Sequence, residues 1–165
     1  MSRMKRITAA AAACIALATG GAVAGTSTAA ATPLPQLARI TTTGDDFGMF
    51  GDHDFCHGAV RTGLTSPRRG VVRITLTSHG FTGNGADWQH NPHCSVLMIA
   101  TTTSSLGFMR ETYFPASFGP RPGQQVVHDV LTGSGVVELG ITPAARRAPV
   151  RALQGYGAGY YALVP

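Results

Sequence analysis

The run Val71–His79, VVRITLTSH, most narrows what this chain can fold into. Val72, Ile74 and Leu76 fall on one side of an extended backbone and Arg73, Thr75 and Thr77 on the other, a period of two that a helix would scatter around its circumference. The pattern recurs in His57–Ser66, where Val60, Thr62 and Leu64 share a face, and in Val136–Thr142, where Val137, Leu139 and Ile141 point in and Glu138 points out. It recurs again in Tyr156–Val164, with Tyr156, Ala158, Tyr160, Ala162 and Val164 on one side. Cys94–Thr103 is almost continuously apolar, as expected of a central strand. Leu37–Thr43, Leu106–Phe114 (closed by Pro115) and Gln124–Leu131 complete the set of expected strands. Turn signals stand between them at Pro67–Gly70, Pro120–Gly123 and Thr132–Gly135. Gly44–Phe55 reads as a loop anchored by Phe47, Met49 and Phe50, Gly80–Pro92 as a long loop, and Pro143–Val150 as an arginine-bearing loop. About seven or eight short strands without a helical pattern predict an all-β, antiparallel β-sandwich.

One local stretch refines that expectation. Arg121-Pro122-Gly123-Gln124-Gln125, followed by VVHDVLTGSGVVELGIT up to Thr142, resembles the turn and strand pair of bacterial immunoglobulin-like domains. The chain is also similar in overall style to small exported immunoglobulin-like proteins of actinobacteria. The resemblance covers about 22 residues and implies an immunoglobulin-like sandwich; it carries no catalytic residues.

The N-terminus sets the expected compartment. Arg3, Lys5 and Arg6 precede an apolar run from Ile7 to Ala18 and a small-residue exit, the layout of a secretory signal peptide over residues 1–31. Cleavage after Ala24 or after Ala31 fits the small-x-small pattern equally. Cys14 lies within the apolar run, and Ala11–Ala13 before it makes a poor lipid-attachment site. The apolar core is too short for a bilayer span, so the mature form is expected to have no transmembrane segment. Residues 32–36 read as a flexible lead-in, and 37–165 as a single domain. Without the leader, ten arginines face eight acids, too even a balance to attract nucleic acid. Secretion or association with the cell envelope, as a monomer, is the expected fate.

In an oxidising compartment the two remaining cysteines, Cys56 and Cys94, are best read as one disulfide. They bracket an unusual stretch that, with Asp52–Phe55 just before it, holds five of the six histidines and the only tryptophan. His53, His57, His90 and His93, with Asp52 or Asp54, supply ligand types suited to zinc or copper, and a second metal variant would use reduced Cys56 and Cys94 with His57 and His93. The expectation is nevertheless no cofactor. If the bridge joins the two sheets, His57 and His93 fall on opposite outer faces and cannot share an ion; if it joins neighbours in one sheet, they can.

Other constellations point away from catalysis. The chain has neither an HExxH zinc-protease motif nor a G-x-S-x-G nucleophile elbow. Ser78 and His79 are neighbours on a strand and face opposite ways. Asp45-Asp46 and Asp52/Asp54 are paired carboxylates of the kind glycosidic chemistry uses, but short Asp-rich loops are usually solvated turns. Gly155-Tyr156-Gly157-Ala158-Gly159 mimics a dinucleotide fingerprint without the helix that must follow it. Three features suit binding: Trp88 in its glycine-rich loop, a Tyr156/Tyr160/Tyr161 platform, and the basic pairs Arg68-Arg69 and Arg146-Arg147 with Arg151. The expected function is a non-catalytic binding or envelope-associated role, toward a protein or an envelope glycan. The alternatives are a metal-binding protein or metalloenzyme built on the histidines, and an inhibitor of a secreted hydrolase presenting a rigid loop near Trp88.

Overall fold

The computed structural model describes residues 31–41 and 44–165; the expected signal peptide up to Ala30, with its Ala24 cleavage point and Cys14, lies outside the described residues. The described residues form β1 (Thr32–Pro33), β2 (Gln36–Arg39), β3 (Asp46–Phe50), β4 (His57–Arg68), β5 (Val71–Thr82), α1 (Ala86–His90), β6 (Cys94–Ser104), β7 (Met109–Phe118), β8 (Gln125–Leu131), β9 (Gly135–Ala144) and β10 (Ala158–Val164). The strands build two five-stranded antiparallel sheets. In the first, β4 is flanked on one side by β1 and β3 and on the other by β5, which pairs with β8; the second runs β2-β10-β9-β6-β7.

The period-two pattern places the core between them. Val60, Thr62 and Leu64 of β4 and Val72, Ile74 and Leu76 of β5 are buried against Val96 and Met98 of β6, Val137, Leu139 and Ile141 of β9, and Tyr160, Ala162 and Val164 of β10. Each such Val, Leu or Ile side chain contributes about 1.5–3 kcal/mol relative to exposure. The β4–β5 hairpin closes through Arg69-Gly70, with Gly70 at φ 70°, as its turn signal predicted.

At the other end of that hairpin the register slips. Gly58 pairs with Phe81 but Val60 with Ser78, so His79 and Gly80 together oppose Ala59. This bulge, with Gly80 at φ 102°, reverses the parity of β5. Phe81 therefore turns inward and stacks on Phe118 at 5.1 Å, where simple alternation from Val72 would have put it outside. A Cβ on Gly80 would lie 2.8 Å from the Pro120 carbonyl oxygen, which seats β5 directly under the Pro120–Gly123 turn.

Several expectations are corrected. Gly44–Phe55 is not all loop, because β3 pairs with β4 along its length and buries Phe47 and Met49; aspartate and glycine at alternate positions mask the period. The lead-in at 32–36 contributes β1 to one sheet and the start of β2 to the other, and buries Leu34 between them. Pro115 does not close its strand: β7 is an edge strand and runs through it to Phe118, since only one side of an edge needs the ladder. Tyr156 stands before β10, fully exposed, because Gly157 (φ 73°) turns the chain between them. Within the expected Gly80–Pro92 loop, residues 86–90 form a single helical turn. No helix among the described residues is long and apolar enough to cross a membrane.

Candidate functional site

Cys56 immediately precedes β4 and Cys94 opens β6, so the disulfide joins the two sheets, with Cα atoms 5.6 Å apart and both residues fully buried. Three loops gather around it. In the first, the Gly51 N–H donates to Cys56 O and the Cys56 N–H to His53 O, both at 2.8 Å. This tight loop holds Asp54 and Phe55 at φ 49° and 54°, the left-handed region that costs a non-glycine residue of order 1 kcal/mol or more. Gly51 packs on the bridge; a Cβ there would sit 2.6 Å from Cys56 Sγ. Gly51→Ala is expected to destabilise the oxidised protein by about 1–3 kcal/mol. Urea unfolding should show a clearly smaller cost when both cysteines are alanine, and equal costs in the two backgrounds would refute the contact.

The carboxylates expected near a metal each hold a backbone N–H through one oxygen. Asp54 Oδ2 accepts the Trp88 N–H at 2.6 Å and so satisfies a free donor in the first turn of α1, while its carbonyl oxygen accepts the Asn84 N–H. Asp52 Oδ1 accepts the Arg146 N–H at 2.9 Å and fixes the third loop, between β9 and β10. Elsewhere, Asp45 pairs with Arg39 at 3.1 Å. Asp46 receives two hydrogen bonds from Arg61 and one contact with His79 Nε2 at 2.7 Å. The Arg61 hydrogen bonds, then that of His79, hold the Asp46 carboxyl at about 2. The Asp46 contacts are exposed surface pairs, not a poised acid and base. Ser78 is buried while His79 is exposed, so the two form no dyad.

The four histidines divide. His53, His90 and His93 line one cleft of about 290 Å³ together with Asp87 and Arg147. His57 lies apart on β4, its Nδ1 2.8 Å from Phe55 O and its ring 5.9 Å from that of Phe50. Among the described residues, no three His, Cys, Asp or Glu side chains converge to hold a metal ion. His90 Nδ1 is 2.7 Å from Ala86 O, a carbonyl that can only accept, so a proton sits on Nδ1 and Nε2 is the lone-pair nitrogen of the neutral ring.

The aromatic candidates separate as well. Tyr160 is fully buried and cannot meet a ligand, which removes it from the expected platform with the exposed Tyr156. Trp88 is half-buried against the core, its ring 6.3 Å from His53 and close over Gly83. The exposed aromatic pair that sequence reasoning missed is Phe50 and Phe55, edge-to-face at 5.8 Å, with Phe55 74% exposed. They line a second cleft of about 420 Å³ that shares His53 with the first. A third, of about 490 Å³, runs from His93 along Pro120–Gln124 and includes Arg121. Of the basic pairs, Arg68-Arg69 occupies the opposite end of the sandwich, Arg147 lines the histidine cleft, and Arg151 lies 4.1 Å over the Tyr113 ring. The parity of β3, outward at Phe50, could have flagged half of the aromatic pair; nothing in the sequence marks the strained Phe55.

Comparison with protein-family models, with curated proteins and with solved structures finds no match to this chain.

Proposed function

We propose that this protein is exported and acts as a non-catalytic binding protein of the cell envelope, through the end of the sandwich closed by Cys56–Cys94. One observation carries the reading: three clefts meet at that end, joined through His53 and His93. They lie on loops that the disulfide, Asp52 and Asp54 hold in place. Loops fixed on a rigid sandwich are the usual location of binding sites. The secretory layout of residues 1–31 supports export.

An immunoglobulin-like classification draws support from the neighbour pattern. Strands β4-β5-β8 opposite β10-β9-β6 repeat the A-B-E and G-F-C relations of that fold. The bridge departs from it, since it leaves from before β4 and not from β5 to β9.

Purified mature protein is expected to sediment with washed cell-envelope fragments and to be displaced by excess unlabelled protein. If it stays in the supernatant at every amount of envelope, the proposal falls.

A metal-binding reading keeps one observation in its favour, three imidazoles on a single cleft with His90 Nε2 free to coordinate. Stoichiometric zinc or copper in untagged protein, lost on His93→Ala, would select it instead.

A further inference from the structure

We infer that the ligand of this end is an acidic glycan, its anionic group on Arg147 and a sugar ring on Phe55. This rests on the envelope-binding reading and names its ligand class.

Three properties of the site lead to it. The first is shape. The clefts are neighbours: the one along the Pro120–Gln124 turn shares His93 with the histidine cleft, which shares His53 with the cleft of Phe50 and Phe55. Three neighbouring clefts at one end of the sandwich fit a chain of several units better than one small molecule.

The second is charge and hydrogen-bonding character. Arg147 and Arg121 line the groove and pair with no carboxylate among the described residues. The carboxylates that line it keep their charge: Asp52 and Asp54, each holding a backbone N–H, line the Phe50–Phe55 cleft, and Asp87 shares the histidine cleft with Arg147, so the cationic side of the groove is the one from Arg147 to Arg121. Beside these cations stand acceptors for hydroxyl donors, the Asp87 carboxylate and His90 Nε2, and groups that do both, Asn91 and Ser95. Guanidinium for a carboxylate or phosphate, with mixed donors and acceptors for hydroxyls, is the complement of an acidic saccharide.

The third is Phe55. Its backbone sits in a region where glycine costs nothing, yet the chain places a phenylalanine there, 74% exposed and braced edge-to-face on Phe50. Backbone strain kept at an exposed position points to use of the side chain. A flat ring held rigid at the rim of a polar groove offers its face to the C–H surface of a pyranose.

The negative charge comes from carboxylates carried on the sugar rings themselves. Calorimetric titration with polygalacturonate, which has ring and charge, with poly(glycerol phosphate), which has charge without a ring, and with neutral dextran, which has rings without charge, tests the two contacts. Binding is expected to polygalacturonate, weakening as salt rises, more weakly to poly(glycerol phosphate), and not to dextran. Arg147→Gln should lower the affinity at least tenfold, and Arg69→Gln at the far end should leave it unchanged. Phe55→Gly should lower it about fivefold or more while the unfolding midpoint stays level or rises, whereas a purely structural Phe55 would lose stability as well.

Equal binding to dextran, or full affinity in both Arg147→Gln and Phe55→Gly, overturns the inference. So does envelope sedimentation without binding to either anionic polymer, or sedimentation abolished by protease treatment of the envelopes; the binding reading survives both. Loss of sedimentation and polymer binding together overturns both.

Discussion

Replacing Cys56 and Cys94 together by alanine should lower the free energy of unfolding by about 4 kcal/mol, the chain-entropy value for a loop of this size. The bridge closes a sequence separation of 38 residues that contains β4, β5 and α1, and it ties the first sheet to the second at one end only. Without it the denatured chain gains freedom, while the core strands keep their contacts, so folding to the same sandwich is expected. For a domain of this size the loss corresponds to a fall in melting temperature of roughly 10–15 °C. Urea unfolding of oxidised wild type and of the double variant measures it directly. A difference below about 1 kcal/mol would mean that the loop is already closed in the denatured ensemble. The loops should respond more than the core. Gly51 rests on the sulfurs, and the segment from Asp52 to Phe55 hangs from Cys56, so the groove should loosen even where the sandwich survives.

How far the sequence foretold this structure depends on how local each signal was. Val72, Ile74 and Leu76, or Val137, Leu139 and Ile141, announce their face by period alone, and their strands lie where the alternation puts them. The cysteine parity, read the same way, buries both sulfurs. The pattern fails where something non-local intervenes. Phe81 changes face because the His79-Gly80 bulge inserts a residue, and the bulge is seated against Pro120 forty residues later. The β3 strand hides behind Asp46 and Gly48, whose solvent face carries the Arg61 pair.

The histidines show the same limit at the site. Spacing groups His53 with His57 and His90 with His93, but Asp54 draws the first loop onto α1 and brings His53 to the second pair, leaving His57 behind on β4. That regrouping needs the sheet-to-sheet bridge, one of the two outcomes the cysteine argument allowed, and spacing alone does not choose between them.

Tyr160 carries the other large effect. It is fully buried, and its hydroxyl faces Thr62 and Asp45 at the point where Arg39 closes the core, with Tyr160 OH, Thr62 Oγ1 and Asp45 Oδ1 all outside well-formed hydrogen bonds. Tyr160→Ala should cost about 3–5 kcal/mol, the range for deleting a buried aromatic ring. Tyr160→Phe keeps the ring and should change stability at neutral pH by no more than about 1 kcal/mol, because the hydroxyl it removes is poorly satisfied. Alkaline pH separates the wild type from the Phe variant. Burial pushes the Tyr160 hydroxyl above its ordinary 10.0, with the Thr62 hydroxyl pulling the other way and the Asp45 charge adding to the rise. The folded protein then holds this proton more tightly than the unfolded chain does. Below pH 10 the residue is neutral in both states and stability is full; above it the unfolded chain ionises first, and stability falls as pH rises toward the folded value. Tyr160→Phe removes that fall, so the two stability curves should run together to about pH 10 and then part, with the variant the more stable. Parallel curves through pH 11 would mean that water reaches the hydroxyl in the folded protein, and that the core is open beside Asp45.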